Sequence, residues 1–234
     1  MDNRVVGIHQ PNFMPWLGYF YKISQSDIFI FLDDVQFIKT GSNYTNRVSL
    51  NIAGESNSIT IPVKRSSGFQ DINMTKILDE RWKKKLIGTI QANYAKSKYF
   101  KENREFIFEL INFRSDNLAI YNMNFIKSIS KRLEFDTLFI ESSKFNLHTK
   151  STQRLIDLIQ KVEGSIYLSG SGGDNYQEKQ LYVDNGIDLI YKKMPKFNHQ
   201  QYQTENFIEG LSIIDAIFNI GMERLKNELF LKVI

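Results

Sequence analysis

The order of apolar and polar residues near the start of the chain predicts a strand, a helix and a second strand. The run "RVVGIHQ" is short and apolar, which is typical of a buried strand. In "PWLGYFYKISQS" the apolar residues recur at helical intervals, and Pro15 suits the first position of a helix. "DIFIFLDD" is a second apolar run. A unit of about thirty residues in this order is typical of a βαβ crossover between parallel strands.

The same kind of pattern predicts the rest of the fold. A hairpin is expected in "NRVSLNIAGESNSITIPV", with "AGESNS" as its turn, and residues 71–135 are expected to form a mainly helical insertion. Further strands are predicted in "DTLFIESS", "SIYLSGSGGDNY" and "IDLIYKKM". "STQRLIDLIQKVEG" predicts a helix with Ser151 as its cap and Gly164 as its stop, and "LSIIDAIFNIGMERLKNELF" predicts helix to the end of the chain. The alternation predicts one α/β domain over residues 1–234, with a mostly parallel, Rossmann-like sheet and a C-terminal helix.

Composition narrows the class of protein. The chain has 234 residues, of which 42% are hydrophobic, and it has no cysteine. This composition predicts a folded core and excludes a disulfide scaffold, a cysteine nucleophile and a cysteine-ligated zinc ion. The start of the chain lacks the features of a signal peptide, and no apolar run approaches the ~18 residues of a membrane span, so we expect a cytoplasmic protein without membrane insertion. The net charge is only +4, and the basic stretches at 81–86 and 94–104 are more typical of solvated helix faces than of an RNA-binding surface.

The segment "HQPNFMPW", between the first strand and the first helix, is the first candidate site. One histidine and two prolines fall within seven residues here, in a chain with three histidines and four prolines. In open α/β sheets, ligands bind outside the carboxyl ends of the strands, and a helix start at that place favours phosphate or carboxylate. We therefore predict His9 as a general base, and Gln10, Asn12 and Trp16 as substrate contacts. Without this context, a hydrogen-bonded core histidine would be the preferred interpretation of His9.

The second strand also ends in polar residues, Asp33 and Asp34. Carboxylates at this position could hold Mg²⁺, orient His9 or grip a substrate amine, and we predict both as catalytic. Since side chains alternate along a strand, the two carboxylates are not expected to serve one site equally. The alternative is a turn or a cap, where aspartate is common. Gln36 follows on the same segment and is predicted to contact the substrate.

Polar and cationic residues later in the chain are candidates for binding phosphate. "NYTNR" places Asn46 and Arg47 near the start of a predicted strand, and Arg47 could clamp a phosphate with two hydrogen bonds. Lys64, after "SITIPV", could do the same. Ordinary surface charge is the alternative for both cations, and it is the stronger alternative for Lys64.

Two further loops offer polar side chains and backbone groups. The glycine-rich strand exit "YLSGSGGDNY" permits close backbone approach, so Ser169, Gly170 and Gly173 are predicted substrate contacts, with a plain loop as the alternative. The exit matches neither a dinucleotide fingerprint nor a P-loop. His199 and Tyr202 in "NHQQYQ" are also predicted to contact the substrate. The three histidines are too scattered for a recognisable zinc site.

Polar residues also form a stripe on the last predicted helix. Ser212, Asp215 and Asn219 lie three and four residues apart, so they share one face. A polar stripe on an otherwise apolar helix predicts either a buried hydrogen-bond network or the wall of a site. We favour structural support, in which Asp215 binds amides of a loop.

Taken together, these segments resemble the WbqC-like family. "GIHQPNFMPWLGYFYKISQSDIFIFLDDVQFIK", "NR", "ITIPV", "YLSGSGGDNY" and "LSIIDAIFNIG" occur in the family's order and rough spacing, up to about Gly221. The opening H-Q-P-x-x-x-P-W-x-G and the close L-S-I-I-D-x-x-F-N-x-G are its distinctive parts. The chain departs from the family pattern at Tyr44, where tryptophan is expected. It also departs in "HQQYQ", which lacks the proline of H-P-x-Y-x-Q and so bears on the roles of His199 and Tyr202.

The resemblance implies a role in the biosynthesis of O-antigen or another surface polysaccharide, and a glycine transferase activity is suggested for a member of the family. We therefore expect an acyl or aminoacyl transferase that acts on the amine of a nucleotide-linked amino sugar. Its donor could be glycyl-tRNA, an acyl thioester or glycine activated by ATP, and Mg²⁺ could take part. Two alternatives remain open: a nucleotidyltransferase-like enzyme, although H-x-G-H is absent, and a non-catalytic protein that binds sugar nucleotides. No feature of the sequence predicts an oligomeric state.

Overall fold

Five parallel strands form the central sheet of the protein. A computed structural model describes residues 3–39, 43–64, 66, 68–170 and 177–231. In those ranges the strands are β1 (Val5–His9), β2 (Ile28–Phe31), β3 (Arg47–Ile52), β4 (Glu55–Thr60), β5 (Leu138–Glu141), β6 (Ile166–Ser169) and β7 (Asp188–Tyr191). The sheet has the order β5-β2-β1-β6-β7 with every neighbouring pair parallel, while β3 and β4 form a separate antiparallel hairpin. The predicted α/β fold with a parallel sheet is therefore confirmed.

Helices surround the sheet. Within the described ranges they are α1 (Leu17–Ser24), α2 (Arg81–Tyr94), α3 (Phe100–Asn112), α4 (Leu118–Arg132), α5 (Ser151–Lys161), α6 (Lys179–Asp184), α7 (Ile213–Ile220) and α8 (Met222–Glu228). Short 3-10 turns occupy Ile72–Met74 and Ser142–Phe145. α2, α3 and α4 lie inside the segment that was predicted to be mainly helical. None of the helices in these ranges has both the length and the apolar character that crossing a membrane requires.

The sheet is buried on both faces, which explains why its strands are continuous apolar runs. In β2, Phe29 and Phe31 pack into a core shared with α1 to α4, α7 and α8, whereas Ile28 and Ile30 pack with α5 and α6. This alternation follows from the two-residue period of a strand. Helices on both faces make the fold doubly wound.

The chain changes direction at β1, in the middle of the sheet. From β1 it passes through α1 to β2 and later to β5, and it returns to the opposite side of β1 as β6 and β7. The point between β1 and β6 is therefore a topological switch point, and ligands of such sheets bind outside the carboxyl ends of the two strands. His9 ends β1 and Ser169 ends β6, so the crevice begins at these two residues.

Positive backbone φ angles shorten one predicted turn and interrupt one predicted helix. The hairpin turns through Ala53 and Gly54 alone, with φ of 54° and 87°, so β4 already begins at Glu55 and the longer predicted turn is wrong. Two residues with positive φ suit the right-handed twist of the paired strands. Gly221, with φ of 81°, separates α7 from α8, so the chain is not one continuous helix to its end. A Cβ at this glycine would lie 2.9 Å from Tyr99 Cδ1, which also requires glycine.

Some helix boundaries also differ from the predicted ones. α1 begins at Leu17 with Trp16 as its N-cap residue, so Pro15 precedes the helix. The Pro15 carbonyl instead accepts a hydrogen bond from Ile213 N at 2.8 Å, which explains the later start. Ser151 lies inside α5 and is not its cap. α6 is an additional helix, and its six residues are too few for a clear periodic pattern.

A methyl group at Gly164 should destabilise the protein, because this residue packs directly against β1. Its Cβ would overlap Val6 Cγ2 and lie 2.9 Å from Ile159 Cγ2. We expect Gly164→Ala to lower the free energy of unfolding by about 1–3 kcal/mol in urea denaturation. Gly88→Ala is the control, because a Cβ at this exposed position of α2 meets nothing within 4 Å. Higher helix propensity should then raise the free energy of unfolding by about 0.5–1 kcal/mol, and equal effects of the two variants would contradict the packing.

Candidate functional site

A cavity of about 760 Å³ lies at the switch point, outside the carboxyl ends of β1 and β6. Its walls come from His9, α1, Gly170 after β6, the connection between β7 and α7, and the first turn of α7. That connection, residues 192–212, contains no helix or strand and supplies much of the wall. Long irregular connections inside a compact domain are usually functional. The cavity is therefore the main candidate site in the described part of the chain.

Two helices begin side by side at this cavity. An antiparallel bridge pairs Trp16 with Ser212, and Ile213 N donates to the Pro15 carbonyl at 2.8 Å. The bridge places the first turns of α1 and α7 next to each other, and residues of both turns line the cavity. The positive dipole end of a helix favours an anion near its first turn. This wall therefore suits a phosphate or carboxylate group.

The cavity wall is rich in cations. Its lysines outnumber its carboxylates, and the charged side chains on it are Lys22, Lys192, Lys193, Lys196, Glu209 and Asp215. Lys22 is half-buried, and its Nζ donates to the Ile8 carbonyl at 2.7 Å. Burial lowers the pKa of the Lys22 ammonium to about 7 and also lowers the pKa of Lys192. The charge of the wall therefore changes near neutral pH, through Lys22.

His9 lies at the end of β1, on the wall of this cavity. Its Nδ1 is 3.1 Å from the Gln10 carbonyl, which can only accept, so we assign the ring proton to Nδ1. The ring contacts Tyr19 edge-on, with the ring centroids 4.9 Å apart. Burial and, to a smaller extent, the positive charge of Lys22 lower the pKa of His9 to about 4. At neutral pH His9 is therefore a neutral ring whose Nε2 is left to accept a hydrogen bond.

A second imidazole, His199, lines the cavity beside a carboxylate. His199 Nε2 lies 3.0 Å from Asp215 Oδ2, and the two side chains are only 3% and 2% exposed. Gln201 Nε2 donates to the same oxygen at 2.9 Å, and Asn219 Nδ2 lies 3.3 Å from Asp215 Oδ1. The polar stripe on the helix thus forms a buried hydrogen-bond network that is also part of the cavity wall.

Asp33 and Asp34 follow β2 and contact the segment after β5. Asp33 is 3% exposed and accepts hydrogen bonds from Ser142 Oγ at 3.1 Å, Ser143 N at 3.0 Å and Ser143 Oγ at 2.7 Å. Asp34 Oδ2 pairs with Arg154 Nη2 at 2.5 Å. Neither carboxylate is part of the cavity wall in the described residues. These contacts are those of an anchor between β2 and β5.

No hydrogen bond or ion pair within the described ranges joins His9 to Asp33 or Asp34, so the contacts do not bring the three predicted catalytic residues together. In the same ranges, no three histidine, aspartate or glutamate side chains form a group that could hold a metal ion. The catalytic roles of the two aspartates and their binding of Mg²⁺ therefore stay predictions. The carboxylates that do line the cavity are Asp215 and Glu209.

Polar residues of the opening loop and its neighbours hold the shape of that loop. Asn122 Nδ2 donates to two carbonyls, at 2.8 and 2.6 Å. Gln10 Oε1 accepts from Thr45 Oγ1 at 3.4 Å, and Asn46 Nδ2 donates to a carbonyl at the end of the hairpin at 2.9 Å. Asn12 is 2% exposed, and its Nδ2 has no partner among the described residues. The substrate contacts predicted for Gln10, Asn12 and Asn46 stay predictions, since none of the three is on the described cavity wall.

Four of the predicted site residues do line the cavity, namely His9, Trp16, Gly170 and His199. Next to Gly170, Ser169 is 2% exposed, and its Oγ accepts a hydrogen bond from Gln177 Nε2 at 3.2 Å. Gly173 lies outside the described residues. The strand exit after β6 therefore contributes backbone to the wall through Gly170.

The remaining predicted contacts lie elsewhere. Gln36 and Arg47 are exposed, and Arg47 Nε donates to a threonine of the hairpin at 3.3 Å. Lys64 lines a second, more open depression of about 500 Å³. Tyr202 donates its backbone N–H to Asn219 Oδ1 at 3.0 Å and so fixes the connection before α7. The substrate contacts predicted for these residues stay predictions.

Several wall residues are absent from the predicted site. Lys22 carries a signal in the sequence, because it is the only charged residue in the otherwise apolar helix "LGYFYKIS". Lys192, Lys193 and Lys196 form the cluster "KKMPK", but nothing local shows that this cluster faces a cavity. Asp215 is predicted only as part of a polar stripe and His199 only as a substrate contact, and the pairing of the two appears only in the folded protein.

The fold and the cavity define a doubly wound α/β protein with a cationic cavity at its switch point. The sequence profile of the WbqC-like protein family matches residues 10–227, and the chain belongs to this family. The predicted family is therefore confirmed. The uncharacterized protein Rv1507c of Mycobacterium tuberculosis is 27% identical over 222 residues, which cover 94% of this chain and 95% of that protein. No solved structure shows a significant match to the chain.

Removing the Asp33 carboxylate should destabilise the fold and leave ligand binding in the cavity unchanged. Asp33→Ala would remove the acceptor of Ser143 N and Ser143 Oγ and one of the two acceptors of the buried Ser142 Oγ. We expect the free energy of unfolding to fall by about 2–3 kcal/mol in urea denaturation. Asp116→Ala is the control, since it removes an exposed carboxylate 3.0 Å from Lys76 Nζ and should cost less than about 1 kcal/mol. Unchanged stability of Asp33→Ala would rule out the anchoring role.

Proposed function

We propose that the protein is a transferase that binds a nucleotide-linked amino sugar in the cavity and transfers an acyl group, such as glycyl, to the sugar amine. The observation that carries this proposal is the composition of the cavity wall. Two helix starts and several lysines lie on the same wall as a neutral imidazole and buried polar side chains. A ligand that carries both an anionic group and an amine fits such a wall better than a purely apolar ligand does.

The pyrophosphate of the ligand would bind at the cationic part of the wall. The starts of α1 and α7 contribute the positive ends of their helix dipoles, and Lys22 and Lys192 contribute positive charge. The volume of about 760 Å³ lies within the range of small-molecule sites. Half-buried aromatic rings on the wall, Trp16 and Phe207, offer apolar surface to a base or a sugar ring.

The amine would lie near His9. Nδ1 of His9 is engaged with a backbone carbonyl, so its Nε2 can accept a hydrogen bond from the amine. The carboxylate of Glu209, which is exposed and lines the same cavity, could pair with the amine while it is still protonated. These contacts would hold the amine in place for attack on the acyl carbonyl.

The acyl group would pass directly from donor to amine. The chain has no cysteine, so no thioester forms on the enzyme. The donor is then an activated acyl compound such as an aminoacyl ester or an acyl thioester. In the setting that the family resemblance implies, the product would serve the assembly of O-antigen or another surface polysaccharide.

Binding of amino-sugar nucleotides tests the proposal directly. We expect UDP-glucosamine to raise the melting temperature and to bind in calorimetry more tightly than UDP-N-acetylglucosamine, because only the free amine can be protonated and pair with Glu209, whereas the acetamide is neutral and bulkier. A panel of dTDP-linked amino sugars with their N-acetylated counterparts extends the test to a second base. Failure of every nucleotide sugar to bind would overturn the proposal.

A matched variant separates a transferase from a binding module in the same experiment. With a glycyl thioester or glycyl-tRNA as donor, mass spectrometry of the nucleotide sugar detects the N-glycyl product. His9→Ala should abolish most of this turnover while the nucleotide still binds. Loss of affinity in the variant without any turnover by the wild-type protein would instead identify a non-catalytic sugar-nucleotide-binding protein.

Lys22 should make anion binding depend on pH between about 6 and 8. Because the pKa of Lys22 is lowered to about 7, the ammonium is charged below that pH and neutral above it. The pyrophosphate diester of UDP-glucose keeps its charge over this range, so its affinity should fall as the pH rises, by about tenfold or ~1.4 kcal/mol. Calorimetry at the two pH values measures the change.

Two substitutions of Lys22 serve as controls for this pH dependence. Lys22→Met should bind weakly at both pH values, because it has no charge to lose. Lys22→Arg should keep its affinity at the higher pH, because arginine remains protonated. An unchanged pH dependence in Lys22→Met would show that another group is responsible.

A further inference from the structure

The pair formed by His199 and Asp215 has the arrangement of a general base with its orienting carboxylate. We propose that His199 is the catalytic base of the transfer, that it takes the proton which the amine loses, and that Asp215 is its positioning residue. This inference rests on the proposed function, because it assigns a proton acceptor to that reaction. It is carried by the geometry of the pair and by one unpartnered ring nitrogen.

The carboxylate of Asp215 is held firmly. Its Oδ2 accepts from Gln201 Nε2 at 2.9 Å, and its Oδ1 lies 3.3 Å from Asn219 Nδ2. Gln201 is itself fixed, since its Oε1 accepts from Ile208 N at 2.7 Å and its Nε2 lies 3.0 Å from the Ile208 carbonyl. A carboxylate with so many donors stays in one orientation, so it can fix the direction of the imidazole.

The proton on His199 is placed by this carboxylate. Because Asp215 accepts at 3.0 Å, Nε2 of His199 is the protonated nitrogen and Nδ1 carries the lone pair. The His199 side chain lines the cavity and is only 3% exposed. Its Nδ1 is buried and has no hydrogen-bond partner among the described residues. The ring is also held edge-on by Phe207, with the centroids 5.1 Å apart. A buried acceptor without a donor is costly unless a ligand supplies one.

The two imidazoles of the cavity therefore suit different tasks. The burial of His9 and the positive charge of Lys22 disfavour a second proton on its ring, and its hydrogen-bond partner is a backbone carbonyl, which carries no full negative charge. His199 has a buried carboxylate as its partner, which stabilises the imidazolium when a proton arrives. His9 can orient the amine, but only His199 has a partner that compensates for the charge of the proton it takes.

The step balances in atoms and charge. The nitrogen of the sugar amine attacks the acyl carbonyl carbon of an aminoacyl ester or acyl thioester, and the new C–N bond forms. His199 Nδ1 takes one proton from that nitrogen. The bond between the carbonyl carbon and the ester oxygen or thioester sulfur then breaks, and the proton passes from His199 to the departing oxygen or sulfur. The products are the N-acylated nucleotide sugar and a free hydroxyl or thiol.

Substitutions at the pair test the assignment with UDP-glucosamine and a glycyl thioester as probes. His199→Gln and Asp215→Asn should each lower kcat by about 10²- to 10⁴-fold, while KM and the calorimetric Kd for UDP-glucosamine change less than about threefold. Added imidazole should restore part of the turnover of His199→Ala. His148→Gln is the control, since it removes an exposed histidine away from the cavity wall and should leave kcat unchanged.

A spectroscopic measurement tests the same assignment without turnover. Ring ¹H–¹⁵N correlation spectra of the wild-type protein should show His199 protonated at Nε2 and unprotonated at Nδ1. A proton on Nδ1 would overturn the inference, as would full kcat in His199→Gln. If the wild-type protein turns over while His199→Gln is unaffected, the inference fails alone. If the wild-type protein neither binds nor converts UDP-linked or dTDP-linked amino sugars, the proposed function fails and this inference fails with it.

Discussion

The backbone contact between Trp16 and Ser212 is the constraint on which the candidate site depends. It joins the loop after the first strand to the helix that begins near residue 213, and Ser212 N also donates to the Ser49 carbonyl of the hairpin at 2.9 Å. Because both helix starts meet at the switch point, their positive dipole ends converge on one cavity. The connection from β7 must then pass over the crevice to reach α7, and in doing so it brings its lysines and His199 onto the wall.

Burial determines the protonation of ionisable side chains on the cavity wall. Lys22 is half-buried beside the middle strand of the sheet, so its ammonium gives up its proton far more readily than an exposed lysine does, and the same surroundings keep His9 neutral. Elsewhere in the same cavity, Asp215 is buried with donors on both carboxylate oxygens. The surroundings of His9 therefore disfavour added positive charge, whereas the carboxylate of Asp215 offers a counter-charge to it. Two electrostatic environments around one ligand-sized space suit the separate roles that we propose for His9 and His199.

Asp33 shows that a position at the end of a strand does not by itself identify a residue of the site. Its position after an apolar strand correctly places it at the carboxyl edge of the sheet, next to the strand of His9. Its carboxylate nevertheless bonds to Ser142 and Ser143, which arrive from β5 more than one hundred residues later. The orientation of a side chain at a strand end depends on which donors the neighbouring strand supplies. No pattern around Asp33 contains that information.

The sequence by itself determined the elements and the family. The apolar runs of β1 and β2, the helical spacing between them and the motif at His9 are local properties, because the burial of a strand or helix imposes its period on neighbouring residues. Only the tertiary structure decided which polar residues meet. The pairing of His199 with Asp215 crosses an irregular connection, and the facing of Lys22 toward the crevice depends on where β6 and α7 return to the sheet. These contacts form when the fold brings separate segments of the chain together. The pattern of residues within one segment does not show which other segment it will meet.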